Sequence, residues 1–179
     1  MKGIVFIFLN RLVEEKYGLA LWDTILETVQ PKSNGIYTSG KTYPDNEIVD
    51  LVSKLSELSR HSIHDLLHVF GHYMFAQLSV LYPDFLKTKD LKSLLLSVDS
   101  VIHKEVNKLY PDANVPKFTY EEPNSNTLIM VYSSARKLCP LAIGLIEGAA
   151  DHYCESISHY QESCMLDGAS ECRIRITFK

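Results

Sequence analysis

The amino-acid sequence predicts an α+β fold, with an N-terminal helical part followed by a mixed part containing a roughly four-stranded antiparallel sheet. Apolar residues recur at helical spacing as far as residue 109. From residue 117 the pattern alternates with a period of two, which is typical of strands. Asp167-Gly168 then separates two further alternating runs, as in a hairpin. We expect one domain over residues 1–179, with a helical subdomain over 1–60 and a mixed subdomain over 61–179.

The composition is that of an ordinary globular protein, with 46% apolar and 22% charged residues. The net charge of -4 provides no basic surface, which argues against nucleic acid as a partner. No apolar run is long enough to span a bilayer, so we expect no membrane association. The apolar run near the N-terminus is followed at once by charged residues, and it predicts a first helix rather than a secretion signal. These features predict a cytoplasmic protein.

Four helices are predicted in the first half of the chain. The first covers residues 2–17 and the second 20–29, while Asp45 or Asn46 can cap the third. The fourth helix, over 63–82, follows a capping Ser62. Its polar side is marked by four histidines at regular spacing, His61, His64, His68 and His72. That spacing allows a surface metal site, but no carboxylate or thiol joins it at a fixed spacing, so the sequence favours a solvated polar face.

The segment around His103 is the first candidate for chemistry. A short helix over 90–97 is expected to precede a second amphipathic helix, which carries His103 at the edge of its apolar stripe and ends at Pro111. A neutral imidazole held on a helix beside an apolar wall is suited to bind a haem iron. A partly buried, hydrogen-bonded histidine without a ligand role is the alternative for this residue taken alone.

The second half of the chain is predicted to form strands around one buried helix. Strands are expected over 117–121, 127–136, 154–161 and 171–178. The helix over 141–153 contains Gly144 and Gly148, which permit the close approach of another element. On the second strand Tyr132, Ser134 and Arg136 alternate and share a face. A guanidinium beside two hydroxyls is suited to bind a carboxylate, although a solvated strand face is an equally good explanation.

Taken together, the Tyr132-x-Ser134-x-Arg136 motif, His103 about thirty residues before it and Pro116 between them resemble the H-NOX family. These are haem nitric oxide/oxygen binding domains related to the haem domain of soluble guanylate cyclase. The resemblance covers essentially the whole chain, from the MKG start through HKEVNKLYPDANVP and YSSAR to the C-terminal strands. It implies haem b between the two subdomains, with His103 as proximal iron ligand. Tyr132, Ser134 and Arg136 would hold the haem propionates, and Pro116 would press on the porphyrin.

The resemblance also predicts which gas is bound. Family members that hold oxygen stably have a distal tyrosine nine residues after the first residue of the YxSxR motif, and that position is Leu141 here. Bound oxygen needs a hydrogen-bond donor, whereas nitric oxide (NO) binds ferrous iron without one. The expected distal pocket is apolar and consists of Val5, Leu9, Met74, Leu78 and Leu141. We therefore expect NO and CO as ligands, and an oxygen sensor or carrier is the alternative.

The resemblance implies a sensor rather than an enzyme. NO binding would weaken the bond between His103 and iron and switch a separate partner, which the family suggests is a histidine kinase or a diguanylate cyclase. A peroxidase would need a distal acid–base pair, and no histidine or arginine is expected near Leu141 or Met74.

Cysteines suggest a second metal site. Some bacterial members of the family hold a structural zinc with three cysteines and one histidine, and Cys139, Cys164 and Cys172 match the three thiolates. Gln161 occupies the position of the histidine, so His159 is the expected fourth ligand if the strand shifts or bulges. Cys154 or His152 is a further candidate. Reduced, partly buried thiols without a metal are the alternative. A zinc-stabilised redox-sensing module is a further functional hypothesis.

Overall fold

The computed structural model of the protein describes all 179 residues and has the predicted α+β architecture. Its seven α-helices are α1 (Gly3–Tyr17), α2 (Leu19–Val29), α3 (Asp45–Ser59), α4 (Ile63–Leu81), α5 (Leu91–Ser97), α6 (His103–Leu109) and α7 (Cys139–Tyr153). Its four strands are β1 (Lys117–Asn124), β2 (Thr127–Ser133), β3 (Ile157–Ser163) and β4 (Cys172–Phe178). None of the helices is both long and apolar enough to cross a bilayer.

The helices follow from local sequence signals. Ser62 caps α4 as predicted, because its hydroxyl oxygen accepts a hydrogen bond from the Asp65 N–H at 3.0 Å. The Asp90 side chain caps α5 in the same way by accepting from the Ser93 N–H at 2.8 Å. These caps satisfy N–H groups that the first helical turn leaves unpaired, and they determine where the two helices begin.

The four strands form one antiparallel sheet in the order β1-β2-β4-β3. The central strands pair Tyr132 with Cys172 and Met130 with Ile174. One face of the sheet packs on α7 and α5, and it forms the C-terminal core with side chains such as Leu128, Ile174 and Ile176 that have no solvent exposure. The second strand is shorter than predicted, because it ends at Ser133 and the chain then turns through Lys137, which has a positive φ of 51°.

The second core lies among α1–α4. Phe6, Val13, Ile25 and Leu51 are fully buried there. Leu141 of α7 also packs against this core, so α7 contributes to both cores. The two cores therefore meet along α4 and α7, and the main cavity of the molecule opens beside this junction.

The α4 and α7 helices approach each other closely, so α4 is the element whose close approach Gly144 and Gly148 permit. A Cβ placed on Gly144 would lie 2.0 Å from the His68 carbonyl oxygen, and one placed on Gly71 would lie 2.1 Å from the Leu141 carbonyl oxygen. No side chain fits in either place, so the two backbones are in direct contact. This contact explains why glycine is needed inside helices, where it otherwise costs stability.

The region before His103 differs from the expected pair of separate helices. The end of α5 continues directly into one turn of π-helix, Val98–Ile102, and this turn leads into α6. Isolated π-helical turns inside helices are frequently found at functional sites. The turn rotates the helix surface just before His103, and periodicity along the sequence does not reveal it.

Candidate functional site

A cavity of about 690 Å³ lies between the two cores. This volume is within the range of about 300–1,000 Å³ that is typical of ligand and cofactor pockets. Its lining comes from α1, the loop before α3, α4, the run from α5 to α6, both strands of the first hairpin, and α7. The cavity brings together the predicted residues His103, Pro116, Tyr132, Ser134 and Arg136.

His103 lies at the start of α6 with 16% of its side chain exposed. Its ring packs near Phe118 of β1, with 5.9 Å between the ring centroids. Burial lowers the pKa of His103, and the nearby Asp99 carboxylate, 3.8 Å from Nδ1, only partly opposes that shift. The buried Nδ1 has no hydrogen-bond partner. The imidazole is therefore neutral near pH 7, and neutral imidazole is the form that binds a metal.

Tyr132 is 3% exposed and lies at the end of β2. Its hydroxyl oxygen accepts a hydrogen bond from the Leu138 N–H at 3.0 Å. Burial raises the pKa of Tyr132, although the Ser134 hydroxyl and the Leu138 N–H beside it act in the opposite direction. The phenol thus keeps its proton and is available as a donor at the cavity wall.

Ser134 and Arg136 reach the same cavity although they do not lie on a strand. The Ser134 hydroxyl oxygen accepts a hydrogen bond from the Arg136 N–H at 3.3 Å, within the turn that follows β2. The alternation that predicted a shared face thus applies only as far as Ser133, and the turn brings the last two side chains to the cavity. Phenol, hydroxyl and guanidinium therefore all line the cavity, and groups of these kinds are suited to bind carboxylates.

The Arg136 guanidinium is held by partners that the sequence did not reveal. Its Nε lies 2.7 Å from Oδ2 of Asp45 in an ion pair without the alignment of a good hydrogen bond, and another of its nitrogens donates to the Asn114 carbonyl oxygen. The N-terminal ammonium of Met1 also contacts Asp45, at 2.7 Å. Burial disfavours the charged form of Asp45, but these two cations outweigh it and hold the pKa of Asp45 below its usual value. These contacts hold the guanidinium in one orientation before any carboxylate binds.

The walls contributed by α1, α4 and α7 are apolar. Of the expected distal residues, Val5, Met74, Leu78 and Leu141 line the cavity. Leu9 does not line it; it is 1% exposed and belongs to the N-terminal core. Helical periodicity could not distinguish a residue that lines the cavity from one buried in the core, because Val5 and Leu9 are both on the apolar side of α1. Ser79 is a polar residue of α4 at the cavity, and its hydroxyl donates to the Ala76 carbonyl oxygen at 2.8 Å.

Further lining residues were not singled out from the sequence. They are apolar side chains of the α5–α6 run, the sheet and α7, among them Leu94, Val98, Ile102, Phe118, Met130, Leu145, Ile146 and Ala149. A flat apolar cofactor with carboxylate groups would bury its ring against these side chains. Its carboxylates would face Tyr132, Ser134 and Arg136. The residues present therefore fit a haem group.

The three predicted thiols also come together. The sulfur atoms of Cys139, Cys164 and Cys172 lie within 4.8 Å of one another, and those of Cys139 and Cys164 are 3.6 Å apart. Burial raises the pKa of Cys139 to about 12 and also raises that of Cys172. A bound divalent cation would instead lower the pKa of these thiols, because a thiol loses its proton when it coordinates a metal. Three clustered sulfurs fit three of the four ligands of a structural zinc.

The expected fourth zinc ligand, His159, does not join these sulfurs. Its Nε2 lies 2.7 Å from Oε1 of Glu147. Gln161 lies on the same face of β3, and its buried amide nitrogen has no hydrogen-bond partner. The Gln161 side chain lies close enough to Cys139 to act on the pKa of that thiol. The two side chains share the less exposed face of β3, but they meet different partners.

Comparisons with known proteins find relatives of the whole chain. A sequence model of the family described as haem-NO-binding matches residues 2–161. The structure superimposes on an H-NOX protein from S. oneidensis in the Fe(II)NO state with a TM-score of 0.94 and 34% identity, covering 100% of this chain and 99% of that one. The same domain in the Fe(II)CO state matches with a TM-score of 0.91.

Two other relatives extend the comparison. The unliganded Fe(II) H-NOX protein from K. algicida is 36% identical with a TM-score of 0.93, covering 100% of this chain and 97% of that one. Soluble guanylate cyclase 89Da from Drosophila melanogaster is 24% identical over 143 residues. That match covers 76% of this chain but 20% of the cyclase, so the chain spans about a fifth of that relative's length.

Proposed function

Since the chain belongs to the haem-NO-binding (H-NOX) family of gas-sensing domains, we propose that it is a haem-based nitric oxide sensor with no catalytic activity of its own. The observation that carries the proposal is the cavity itself. It joins a neutral imidazole, a cluster of carboxylate-binding side chains and apolar walls. Haem b, when bound, supplies a ferrous iron that binds diatomic gases. The chain supplies the axial ligand, the anchors and the polarity of the pocket.

His103 is the proposed iron ligand, and Tyr132, Ser134 and Arg136 are the proposed anchors of the propionates. Because Arg136 is already oriented by Asp45, a propionate would meet a guanidinium that loses little conformational freedom on binding. Pro116 lines the cavity just before β1, where its rigid ring would press on one face of the porphyrin.

Replacing His103 by glycine tests the ligand assignment. The reduced His103→Gly protein should lose the visible spectrum of histidine-ligated haem and recover it when imidazole is added, since free imidazole then takes the vacated position. His61→Gly is a matched control, because His61 is exposed and lies before α4, away from the cavity. An unchanged spectrum in His103→Gly would overturn the assignment.

The preference for NO follows from the apolar distal side. Val5, Met74, Leu78 and Leu141 have no hydrogen-bond donor, and the hydroxyl of Ser79 is already used within α4. Bound oxygen carries partial negative charge and needs such a donor, so the ferrous protein should bind NO and CO but form no stable complex with oxygen. Mixing the ferrous protein with air distinguishes this proposal from the oxygen-carrier alternative. A persistent oxygen-bound spectrum would favour the carrier.

The proposed output begins at His103. His103 would hold the iron of a bound haem, and NO on that iron would weaken this hold. The run from the π-turn to α6 would then lose one restraint. The segment after α6 is tied to the N-terminal part of the molecule, because Lys2 contacts Asp112 at 2.6 Å and lies over the ring of Tyr110 at 4.6 Å. A movement of α6 would therefore be transmitted to α1.

A separate protein would read this change, and a histidine kinase or a diguanylate cyclase is the proposed partner class. The test is to measure autophosphorylation by such a kinase, or cyclic dinucleotide synthesis by such a cyclase, in the presence of the ferrous and the NO-bound protein. His103→Gly is the control, because the partner should no longer distinguish the two states. An equal effect of both states of the wild-type protein on each partner would contradict the proposal.

A structural zinc at Cys139, Cys164 and Cys172 is a second proposed component. The convergence of three sulfurs supports it, and the Gln161 side chain lies beside Cys139. Metal analysis of protein purified without added zinc should find one zinc that Cys139→Ser loses. If zinc is bound, oxidation of these thiols would release it, as the redox-sensing hypothesis requires. Absence of zinc from the wild-type protein would rule out both roles.

A further inference from the structure

The buried ring nitrogen of His103 lacks the partner that a metal-binding histidine ordinarily has. Nδ1 is shielded from solvent and makes no hydrogen bond. A histidine that binds a metal through one ring nitrogen usually donates the N–H of the other to a carboxylate or a carbonyl, which fixes the ring and makes it a stronger ligand. A buried donor without an acceptor is unfavourable, so the ring should turn toward an acceptor within reach.

Asp99 places a carboxylate beside this nitrogen. Its Oδ1 lies 3.8 Å from Nδ1 of His103, which is about 1 Å longer than an ordinary hydrogen bond. A small rotation of the imidazole closes that gap. Hydrogen bonds within a site are often long before the site is filled and shorten afterwards. We therefore expect the contact between Asp99 and His103 to become a hydrogen bond when the cavity is occupied.

The π-turn and β1 hold Asp99 in place. The His103 N–H donates to the Val98 carbonyl oxygen, five residues back, instead of four residues back as in an α-helix. The Oδ1 atom of Asp99 accepts a hydrogen bond from the Phe118 N–H at 3.1 Å, and the Asp99 N–H donates to the Tyr120 hydroxyl oxygen at 3.3 Å. A carboxylate oxygen has two lone pairs, so Oδ1 can accept a second hydrogen bond from the imidazole.

We propose that Asp99 is a positioning residue for the iron ligand: by accepting a hydrogen bond from Nδ1–H, it fixes the His103 ring and strengthens the bond from His103 to iron. This inference rests on the proposed function, because it requires His103 to hold a haem. An anionic acceptor makes the imidazole a stronger electron donor than a neutral acceptor does. Asp99 thus sets how readily NO releases His103 from the iron.

The Pro116 carbonyl oxygen is the competing acceptor. Burial lowers the pKa of His103, and Asp99 opposes this shift more strongly than the Pro116 carbonyl does. The carbonyl belongs to the backbone, so a substitution at position 99 leaves it in place. The contributions of the two acceptors can therefore be separated by experiment.

Resonance Raman spectroscopy of the ferrous, haem-loaded protein measures the stretching frequency of the His103–iron bond. Asp99→Asn has nearly the same shape and keeps an oxygen that can accept from the Phe118 N–H, but it has no charge. Its iron–histidine frequency should be lower than that of the wild-type protein, and His103 should leave the iron about ten-fold faster once NO is added. Glu105→Gln is the matched control, because Glu105 pairs with Lys108 on the exposed side of α6, so both quantities should be unchanged.

The apoprotein gives a second readout that needs no haem. Nitrogen-15 chemical shifts of the His103 ring at about pH 7 show which ring nitrogen carries the proton. The proton should lie on Nδ1 in the wild-type protein. In Asp99→Asn part of the population should carry it on Nε2, because an amide can donate to Nδ1 as well as accept from it. The melting temperature (Tm) of each apoprotein checks that the variant has folded.

Either of two results would overturn the proposal. One is an equal iron–histidine frequency in Asp99→Asn and the wild-type protein. The other is an unchanged position of the ring proton in the apoprotein of Asp99→Asn, which would assign Nδ1–H to the Pro116 carbonyl. A failure of the proposed function would be seen separately, as an unchanged haem spectrum in His103→Gly.

Discussion

Replacing Gly144 by alanine should destabilise the protein, although alanine is the better helix former. The new Cβ would lie 2.0 Å from the His68 carbonyl oxygen and 2.8 Å from the His72 nitrogen. An ordinary carbon–oxygen contact is about 3.4 Å, so α4 and α7 would have to separate by about 1.4 Å. Overpacking of this kind costs about 3 kcal/mol at the upper end of its usual range. The gain in helix propensity returns about 1 kcal/mol, which leaves a net loss of about 2 kcal/mol.

Urea unfolding of the apoprotein measures this difference, and a loss of about 2 kcal/mol should lower the Tm by about 4–8 °C in a chain of this length. Gly148→Ala is the matched control on the same helix. Its Cβ would lie 2.8 Å from the Phe75 Cβ and 3.0 Å from the His72 carbonyl oxygen, so the two helices would have to separate less than in Gly144→Ala and the loss of stability should be smaller. Equal or greater stability of Gly144→Ala relative to the wild-type protein would refute the direct backbone contact between α4 and α7.

Three further predictions concern the cavity and its connections. Tyr132→Phe should cost about 1–2 kcal/mol in urea unfolding of the apoprotein, because the Leu138 N–H loses its acceptor, and it should also speed haem transfer to apomyoglobin. Because burial lowers the pKa of His103 in the folded state, the unfolded chain takes up its proton first as pH falls. The free energy of unfolding of the apoprotein should therefore decrease below about pH 6.5, and His103→Gln should decrease less in a urea series across pH 5–8. Asp112→Asn should lower the Tm slightly in dilute buffer and not in about 1 M salt, since the contact of Asp112 with Lys2 is exposed.

Local patterns predicted most of the elements and their order. The helical spacing of apolar residues and the cap at Ser62 located α1 to α4, and the change to a period of two located the sheet. The boundaries were less accurate where tertiary contacts decide them. The second strand stops at Ser133 instead of continuing to Arg136, and α5 and α6 are joined by a π-turn. Hydrogen bonds across the sheet and packing around the cavity determine these ends, and neither depends on local periodicity alone.

The same distinction applies to the candidate site. Residue type and spacing marked His103, Tyr132 and Arg136 as candidates, but the resemblance to the H-NOX family was needed to prefer a haem site over a hydrogen-bonded histidine and a solvated strand face. Sequence spacing could not separate Val5, which lines the cavity, from Leu9, which is buried in the core. That choice depends on how α1 is rotated against its neighbours.

The class of fold, the helical and extended segments and the family resemblance can be read from the amino-acid sequence, since these depend on residues near one another in the chain or on a distinctive set of side chains. Which distant groups meet became visible in the folded molecule. Asp45 orients Arg136 from ninety-one positions away, and Glu147 connects His68 with His159. Such pairings depend on how whole helices pack against one another. They join residues that are far apart in the chain, so they leave no periodic pattern in the sequence.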